Sequence, residues 1–308
     1  METRLINYIL TINRCKSVSR AAEELFLTQS ALNQQLLKLE EELGAPLFIR
    51  TRNNWQPTQI GTIYIQNAEK MLSIKEETYS QIQDIAQRWR GTVTVGLVPE
   101  RGALMFSAIY PEIHSKYPDT IFQPVEATVA QQIQMLKNGR LDISFQTIYE
   151  RTHKNLICNK ILYEPFYLCI PATHPLAYLG APFGREPYPE IDLRSFRNDL
   201  FTLVRRSSTM RTVIDQLFKD AEYVPHLLFE STSMHTMQQL ASIGQCCTII
   251  PKYYAMDNKN VVYFALGPKA GWDVVAVYKK NHYLTKAARD FINLASEHWV
   301  ENQYMTIQ

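Results

Sequence analysis

Residues 17–51, SVSRAAEELFLTQSALNQQLLKLEEELGAPLFIRT, constrain the fold of this chain more than any other stretch. They read as a helix, a tight turn and a second helix with a polar outer face. In the second helix Leu32, Leu36, Leu39 and Leu43 recur at the spacing of one apolar stripe, while Gln29, Ser30, Asn33 and Gln34 fall on the opposite side. A stripe of leucines needs a core, and short polar side chains facing away from it need a partner. Ser19 is placed to cap the first helix and Thr28 the second, each hydroxyl accepting from an orphan backbone N–H. Gly44 follows where a left-handed closing residue costs least, and Pro46 stops the helix. Next, LFIRTRNNWQPT alternates apolar and polar around Arg52, Asn53 and Asn54, the pattern of a short hairpin with an amide-rich tip. A helix pair followed by such a hairpin is a winged helix-turn-helix, a layout that reads DNA.

The residue types suit that chemistry. A recognition helix enters the major groove with its N-terminal residues nearest the base edges, where Gln or Asn can bond adenine N6 and N7 bidentately. Gln29, Asn33 and Gln34 have the length and polarity for this, and Lys38, Arg50 and Arg52 would meet phosphates. Arg52 or Asn53 on the wing could also reach the minor groove. The residues alone leave a second reading open, in which they only solvate the outer face of a small helical bundle.

The same stretch resembles the DNA-binding signature of the LysR-type transcriptional regulators. The matching positions are Ala21, Ala22, Leu25, Gln29, Ala31, Leu32, Gln35, Leu39, Glu40, Leu43, Gly44, Leu47, Phe48 and Arg50. Three positions depart: Ser30 stands where the family usually has Pro, Asn33 where it usually has Ser, and Gln34 where Arg is frequent. These departures should leave the fold alone and change the operator read.

A chain of 308 residues with 46% hydrophobic content can bury large cores and has the length of two or three domains. Its net charge of +2 is too mild to argue for nucleic acid by itself. The first residues, METRLINYILTINRCKSVS, carry charges and no long apolar run, so neither a signal peptide nor a membrane span is expected, and the location expected is the cytoplasm. The five cysteines are irregularly spaced and form neither a secreted disulfide framework nor a metal or CxxC motif. Adjacent Cys246 and Cys247 fit buried small residues in a strand better than a redox switch. No metal and no cofactor is predicted.

Thr58 can cap a helix running through IGTIYIQNAEKMLSIKEETYSQIQDIAQRWRG, in which Tyr64, Ala68, Met71, Thr78, Ile82, Ile85 and Trp89 approximate a three-four repeat that Lys75 interrupts. The stripe alone fits packing against its own domain. The resemblance implies instead that this helix pairs two subunits, which would set two recognition helices at half-sites about 34–36 Å apart. It leaves a tetramer and contact with RNA polymerase open.

From Gly91 the pattern changes to alternating strands and helices, which predicts an α/β region with a parallel core: TVTVGLV, ALMFSAIYPEIHSKYP, TIFQPVEA, VAQQIQMLKNG and LDISFQT. A second α/β unit is nested after KILYEPFYLCIPATHPLA, and VVYFALGP and WDVVAVYKKN return before a closing helix, LTKAARDFINLASEHW. The predicted organisation is α+β multidomain. A winged helix-turn-helix over 1–58 leads through a linker helix over 59–90 to an effector domain over 91–308. Subdomain I of that domain takes about 91–162 and 267–308, and subdomain II about 163–266.

The order resembles the effector region of LysR-type regulators, a type 2 periplasmic-binding-protein-like fold with a ligand cleft beyond the carboxyl ends of strands. By matching positions the resemblance implies a cleft lined by Val98, Pro99, Glu100, Thr128, Gln146, Thr147, Arg205, Arg206, Ser207, Ser208, Thr232 and Ser233. Thr128 and Ser233, beside helix N-termini, could orient a carboxylate, Arg205 or Arg206 could pair it, and Glu100 would repel it. Equally, the hydroxyls could merely cap helices and the arginines be solvated. Cys246 stands where the family often has Gly. The expectation is a transcriptional regulator on double-stranded DNA, governed by a small-molecule effector of unknown identity. Its alternatives are a constitutive DNA-binding regulator without a ligand, and an enzyme or small-molecule-binding protein using the α/β cleft. No nucleophile elbow, P-loop, GxGxxG or metal box supports an enzyme, and no catalytic residue is assigned.

Overall fold

The computed structural model describes residues 3–51, 54–86, 90–149, 155–280 and 282–304. The head is built from α1 (Thr3–Cys15), α2 (Val18–Glu24) and α3 (Gln29–Leu43), followed by the two-stranded wing β1 (Phe48–Ile49) and β2 (Gln56–Pro57). Its core gathers Ile9, Ile12, Ala21, Leu32, Leu36, Leu39, Leu47 and Phe48. Thr28 caps α3 by accepting from Ala31 N at 3.2 Å, and Gly44 closes it at φ 69°, both as predicted.

Two local expectations change. Ser17, not Ser19, caps α2 by accepting from Arg20 N, because the helix begins at Val18 and leaves Ser19 in its first turn. Leu43 does not complete the leucine stripe. It is 44% exposed because α3 outruns the head's core by its last turn, and buried Glu40 faces the wing instead.

α4 (Gln59–Ile85) leaves the wing with Thr58 as its cap, accepting from Gly61 N at 2.9 Å. Gly61 is required there, since a Cβ would sit 1.9 Å from the Leu47 carbonyl oxygen. The predicted repeat splits along this helix. Ala68 is buried and Tyr64 packs on the head's core, whereas Met71, Thr78, Ile82 and Ile85 are exposed. Trp89 lies outside the described residues.

The effector region continues with β3 (Gly91–Leu97), α5 (Arg101–Lys116), β4 (Thr120–Glu126), α6 (Val129–Lys137), β5 (Ile143–Ile148) and β6 (Leu156–Pro171). It goes on through β7 (Leu200–Val204), α7 (Thr209–Asp220), β8 (His226–Ser231), α8 (Met234–Ser242) and β9 (Thr248–Pro251), and ends with β10 (Val261–Ala265), β11 (Gly271–Lys279) and α9 (Lys286–Glu301). One sheet runs β10-β6-β11-β5-β3-β4, with β9 also paired to β6, and a second pairs β7 with β8.

The parallel core expected from the alternation is confined to β3 with β4 and β5, and to β7 with β8. β11 runs antiparallel to both β5 and β6, and β9 and β10 run antiparallel to β6. Returning strands reverse direction because β6 carries the chain out of the first unit and β11 carries it back. β6 pairs with β11 through Pro165 and with β10 and β9 from Phe166 onward, so one strand belongs to both units. A single core spans them, from Val95 and Phe145 through Phe166 and Trp272 to Phe201 and Ile249.

Candidate DNA-reading head and effector cleft

On the head, Gln29, Ser30, Gln34 and Lys38 are exposed along the first three turns of α3, and Asn33 is half-buried. Thr28 Oγ1 and Ser30 Oγ lie 3.1 Å apart, and Ser19 Oγ donates to Gln29 Oε1 at 2.9 Å. Glu41 and Glu42 are exposed on the last turn of the same helix. Like charge and the negative end of the helix dipole would push that turn away from phosphates, so the uncharged first turns form the end suited to a groove. Arg50, expected at a phosphate, instead pairs with buried Glu40, whose other oxygen accepts from Leu47 N at 2.7 Å. The Arg50 guanidinium also lies 5.5 Å from the centre of the Trp55 ring, which ties the wing to α3. Arg52 and Asn53 lie outside the described residues.

α4 has two unlike faces. One carries Glu69, Glu77 and Asp84 into the effector region. Glu69 pairs with Arg140, Glu77 accepts from Tyr283 N at 2.8 Å, and Asp84 accepts from Tyr283 Oη and Lys286 N, each at 2.8 Å. His282 stands among these contacts, with Nδ1 3.0 Å from Glu77 and Nε2 3.7 Å from Asp142. Asp142 above all, then Glu77, raises the imidazole pKa above its ordinary value against the opposing effect of burial. A cavity of about 570 Å³ lies at this junction, lined by Glu69, Ser73, Glu77, Arg140, Asp142 and His282 among others. The other face exposes Ile63, Met71, Ile74, Ile82 and Ile85.

In the effector region the carboxyl ends of parallel strands and the starts of helices coincide, as the cleft expectation requires. Val98, Pro99 and Glu100 follow β3, and Glu100 adopts φ 64°, a conformation that L residues with side chains rarely take. Thr128 follows β4 and caps α6, but its hydroxyl is committed at both ends: it accepts from Gln131 N and donates to Gln131 Oε1 at 2.9 Å. Gln146 and Thr147 on β5 are 2% and 7% exposed. Gln146 Nε2 donates to Ser144 Oγ at 2.8 Å, and Ser144 in turn donates to Gln132. These two β5 side chains are therefore packed beneath the surface rather than open on it.

After β7 come exposed Arg205, Arg206 and Ser207, then Ser208, which caps α7 by accepting from Met210 N. Arg206 Nε faces Glu230 Oε1 at 3.7 Å beside Arg211, which pairs with both Glu230 and Asp215. After β8 come exposed Thr232 and half-buried Ser233, which caps α8 by accepting from Thr236 N at 3.2 Å. A capping serine accepts with its oxygen and keeps its own O–H to donate, so Ser208 and Ser233 remain suited to a ligand acceptor.

Sequence reasoning missed the polar centre where the two units join. Arg101, first residue of α5, donates to Glu164 of β6 at 2.5 Å, with side chains 4% and 2% exposed. Glu164 also accepts from Trp272 Nε1 at 2.5 Å and Tyr253 N at 3.0 Å, and the guanidinium lies over the rings of Tyr253 and Trp299. A lone carboxylate inside the apolar run FYLCIP and its lead-in was the available signal. Its partner stands 63 positions away, beyond any local pattern.

Burial pushes the thiols of Cys169 and Cys247 well above the ordinary cysteine value and raises that of Cys246, which favours the thiol over the reactive thiolate in each. Among the described residues no group of three or more His, Cys, Asp or Glu side chains could hold a metal ion. No helix among them is long and apolar enough to cross a membrane.

Comparison with known proteins covers nearly the whole chain. Residues 3–62 match the family model for the bacterial regulatory helix-turn-helix protein, lysR family, and residues 86–300 match the LysR substrate binding domain. The Hca operon transcriptional activator HcaR of Escherichia coli is 25% identical, over 96% of this chain and 98% of that protein. The transcriptional dual regulator GltC of Bacillus subtilis is 26% identical, over 94% of this chain and 95% of that protein. Among solved structures, a full-length OxyR from Pseudomonas aeruginosa aligns with a TM-score of 0.66 at 18% identity, covering 96% of this chain and 97% of that one. Full-length CbnR complexed with its target DNA aligns at 0.62 and 18%, covering 96% of this chain and 99% of that one.

Proposed function

The chain belongs to the LysR family of DNA-binding transcriptional regulators, and from that premise we propose that a small-molecule effector controls how its paired heads sit on an operator. The head is the segment 1–58, α4 with its flank to residue 90 is the linker, and 91–308 is the effector domain, its subdomains meeting where β6 and the return to β11 cross. Gln29, Ser30, Asn33 and Gln34 read bases, with Thr28 holding the helix start, Lys38 on phosphates, and Arg52 and Asn53 at the wing tip. The exposed isoleucine face of α4 pairs with a second copy, which sets two recognition helices on half-sites about one helical turn apart. Such a protein acts in the cytoplasm, where its operator is.

The effector binds beyond the ends of β3, β4, β7 and β8, with Ser208 and Ser233 donating hydrogen bonds and Arg205 supplying positive charge. An acceptor-bearing anion suits that set. A ligand moves the heads only if it binds one arrangement of the subdomains more tightly than the other. The observation that carries this reading is the docking of Glu69, Glu77 and Asp84 of the linker helix onto the effector region, which gives a rearranging effector domain a grip on the helix that holds the head.

The test is a footprint of the full-length protein on the DNA upstream of its own gene and on genomic fragments, at fixed salt because phosphate contacts alone give salt-sensitive, unspecific binding. Protection of paired half-sites that changes on adding pooled metabolites is the expected result. Protection indifferent to every metabolite would remove the effector and leave a constitutive binder, and no protection anywhere would remove the operator.

A further inference from the structure

His282 stands between the linker helix and the effector region. It follows β11, and its ring reaches α4 on one side and the lead-in to β5 on the other. Nδ1 lies 3.0 Å from Glu77 Oε2 and Nε2 3.7 Å from Asp142 Oδ1, with the side chain only 11% exposed. Both carboxylates are held without help from the ring. Glu77 accepts from Tyr283 N at 2.8 Å through Oε1, and Asp142 accepts through Oδ2 from Thr94 N and Thr94 Oγ1, each at 2.7 Å. The ring therefore sits between two fixed negative charges, one on each body.

An ionised carboxylate only accepts, and a neutral imidazole has one N–H. Whichever nitrogen carries that proton, the other turns a lone pair toward a carboxylate, so in either tautomer only the imidazolium suits both sides. The neighbouring charges are engaged elsewhere. Arg140 pairs with Glu69 of α4, Arg90 with Asp119, and Asp84 accepts from Tyr283 Oη and Lys286 N, while Arg289 lies over the Tyr283 ring. The cavity beside the ring, also lined by Tyr79 and Arg90, leaves room for the water with which a proton must exchange. The two carboxylates outweigh burial and raise the imidazole pKa above 6.5, so the contact is strongest below the folded value and fades as pH rises through it.

We propose that His282 is a proton-operated clamp: its imidazolium fastens the linker helix to the effector region, loss of the proton loosens that helix, and the grip on paired half-sites thereby depends on pH. A fastened helix presents its head at a set place, which lowers the ordering cost of engaging two half-sites together. A single half-site needs no such placement. The inference rests on the operator reading and on the pairing of two copies proposed above.

The experiment compares full-length wild type, His282→Gln and Glu77→Gln from about pH 6 to about pH 9 at one ionic strength. The probes are a duplex with paired half-sites, selected by the wild type from a randomised library, and the same duplex with one half-site scrambled. The histidine ring signals are titrated alongside by NMR, the signal missing from His282→Gln being that of His282. Its midpoint should lie above 6.5 and fall in Glu77→Gln. At the acid end the wild type should bind the paired duplex about two- to fivefold tighter than His282→Gln, the weight of one partly exposed ion pair. That ratio should fall toward one in alkali and stay at one on the scrambled duplex throughout. Glu77→Gln keeps the acceptor for Tyr283 N and should match His282→Gln, so it carries the comparison if that variant fails to fold. A midpoint at or below 6.5, or the same pH-dependent ratio on the scrambled duplex, would overturn the proposal. A ratio on the paired duplex that ignores pH rejects the clamp while operator reading stands. If the wild type enriches no sequence, operator reading fails and takes the clamp with it.

Discussion

Replacing Arg101 by methionine tests whether the ion pair at the junction of the two units is as dry as its geometry says. Met occupies much of the volume of the arginine stem and removes only the charge and its hydrogen bonds. It would leave the Glu164 carboxylate 2% exposed with two donors, Trp272 Nε1 and Tyr253 N, and no counter-charge. Stranding one partner of a buried pair costs about 3–5 kcal/mol, most of it the penalty of the uncompensated charge rather than the worth of the pair. For an effector region of this size each kcal/mol shifts melting by about 2–4 °C, so a fall of roughly 6–20 °C is expected. Arg101→Met combined with Glu164→Gln removes the stranded charge while Gln Oε1 still accepts at the site, and should recover most of the loss. The assay is thermal and urea unfolding of the full chain for wild type, both single variants and the double. A loss below about 1 kcal/mol in Arg101→Met would show that water reaches Glu164, and an additive double variant would show that the two side chains do not act as a pair.

Two other outcomes follow from α4. The His282 pKa is raised above its ordinary 6.5 by Asp142 and Glu77, with Arg140 and Tyr283 also at the junction. A raised folded-state pKa stabilises fully below 6.5 and is lost as pH climbs through the folded value. The stability lead of wild type over His282→Gln should therefore be largest at mildly acidic pH and vanish in alkali, and a lead that grows with pH would contradict the assignment. Ile74 is 63% and Ile82 59% exposed on α4, and burying an isoleucine is worth roughly 1.5–3 kcal/mol. Ile74→Asp with Ile82→Asp should weaken self-association by at least about a hundredfold in sedimentation while the head keeps its helical signal, and an unchanged dimer would place the interface elsewhere.

What the sequence disclosed was whatever its near neighbours decide. Thr28, Gly44 and Thr58 each act within four residues, so capping and chain reversal could be read directly. Leu32, Leu36 and Leu39 announced a core by period alone, but the period could not say where that core ends, and so Leu43 was misplaced. Ser17 and Ser19 are equally good caps on paper, and the choice depends on where helical backbone begins. Arg50 looked like a phosphate contact because nothing local reveals buried Glu40 as its partner across the α3–wing turn. The acidic face of α4 is visible as three carboxylates, yet its meaning comes from Arg140 and residues 282–286, far along the chain. Thr128 was correctly placed at a helix start, and only the capping box shows that its hydroxyl is already spent.

The position of β11 between β5 and β6 has a consequence for how the protein is made. β5 and β6 leave the ribosome early, but the strand that joins them is 271–279, and everything from β7 to β10 must be synthesised first. Until then the inner edge of β5, with Phe145 and its neighbours, carries unpaired backbone groups, the kind of surface that recruits other chains. The head, whose core closes by residue 65, has no such wait. Nascent or truncated chains ending before 271 would therefore combine a finished DNA-binding head with an adhesive, unfinished remainder.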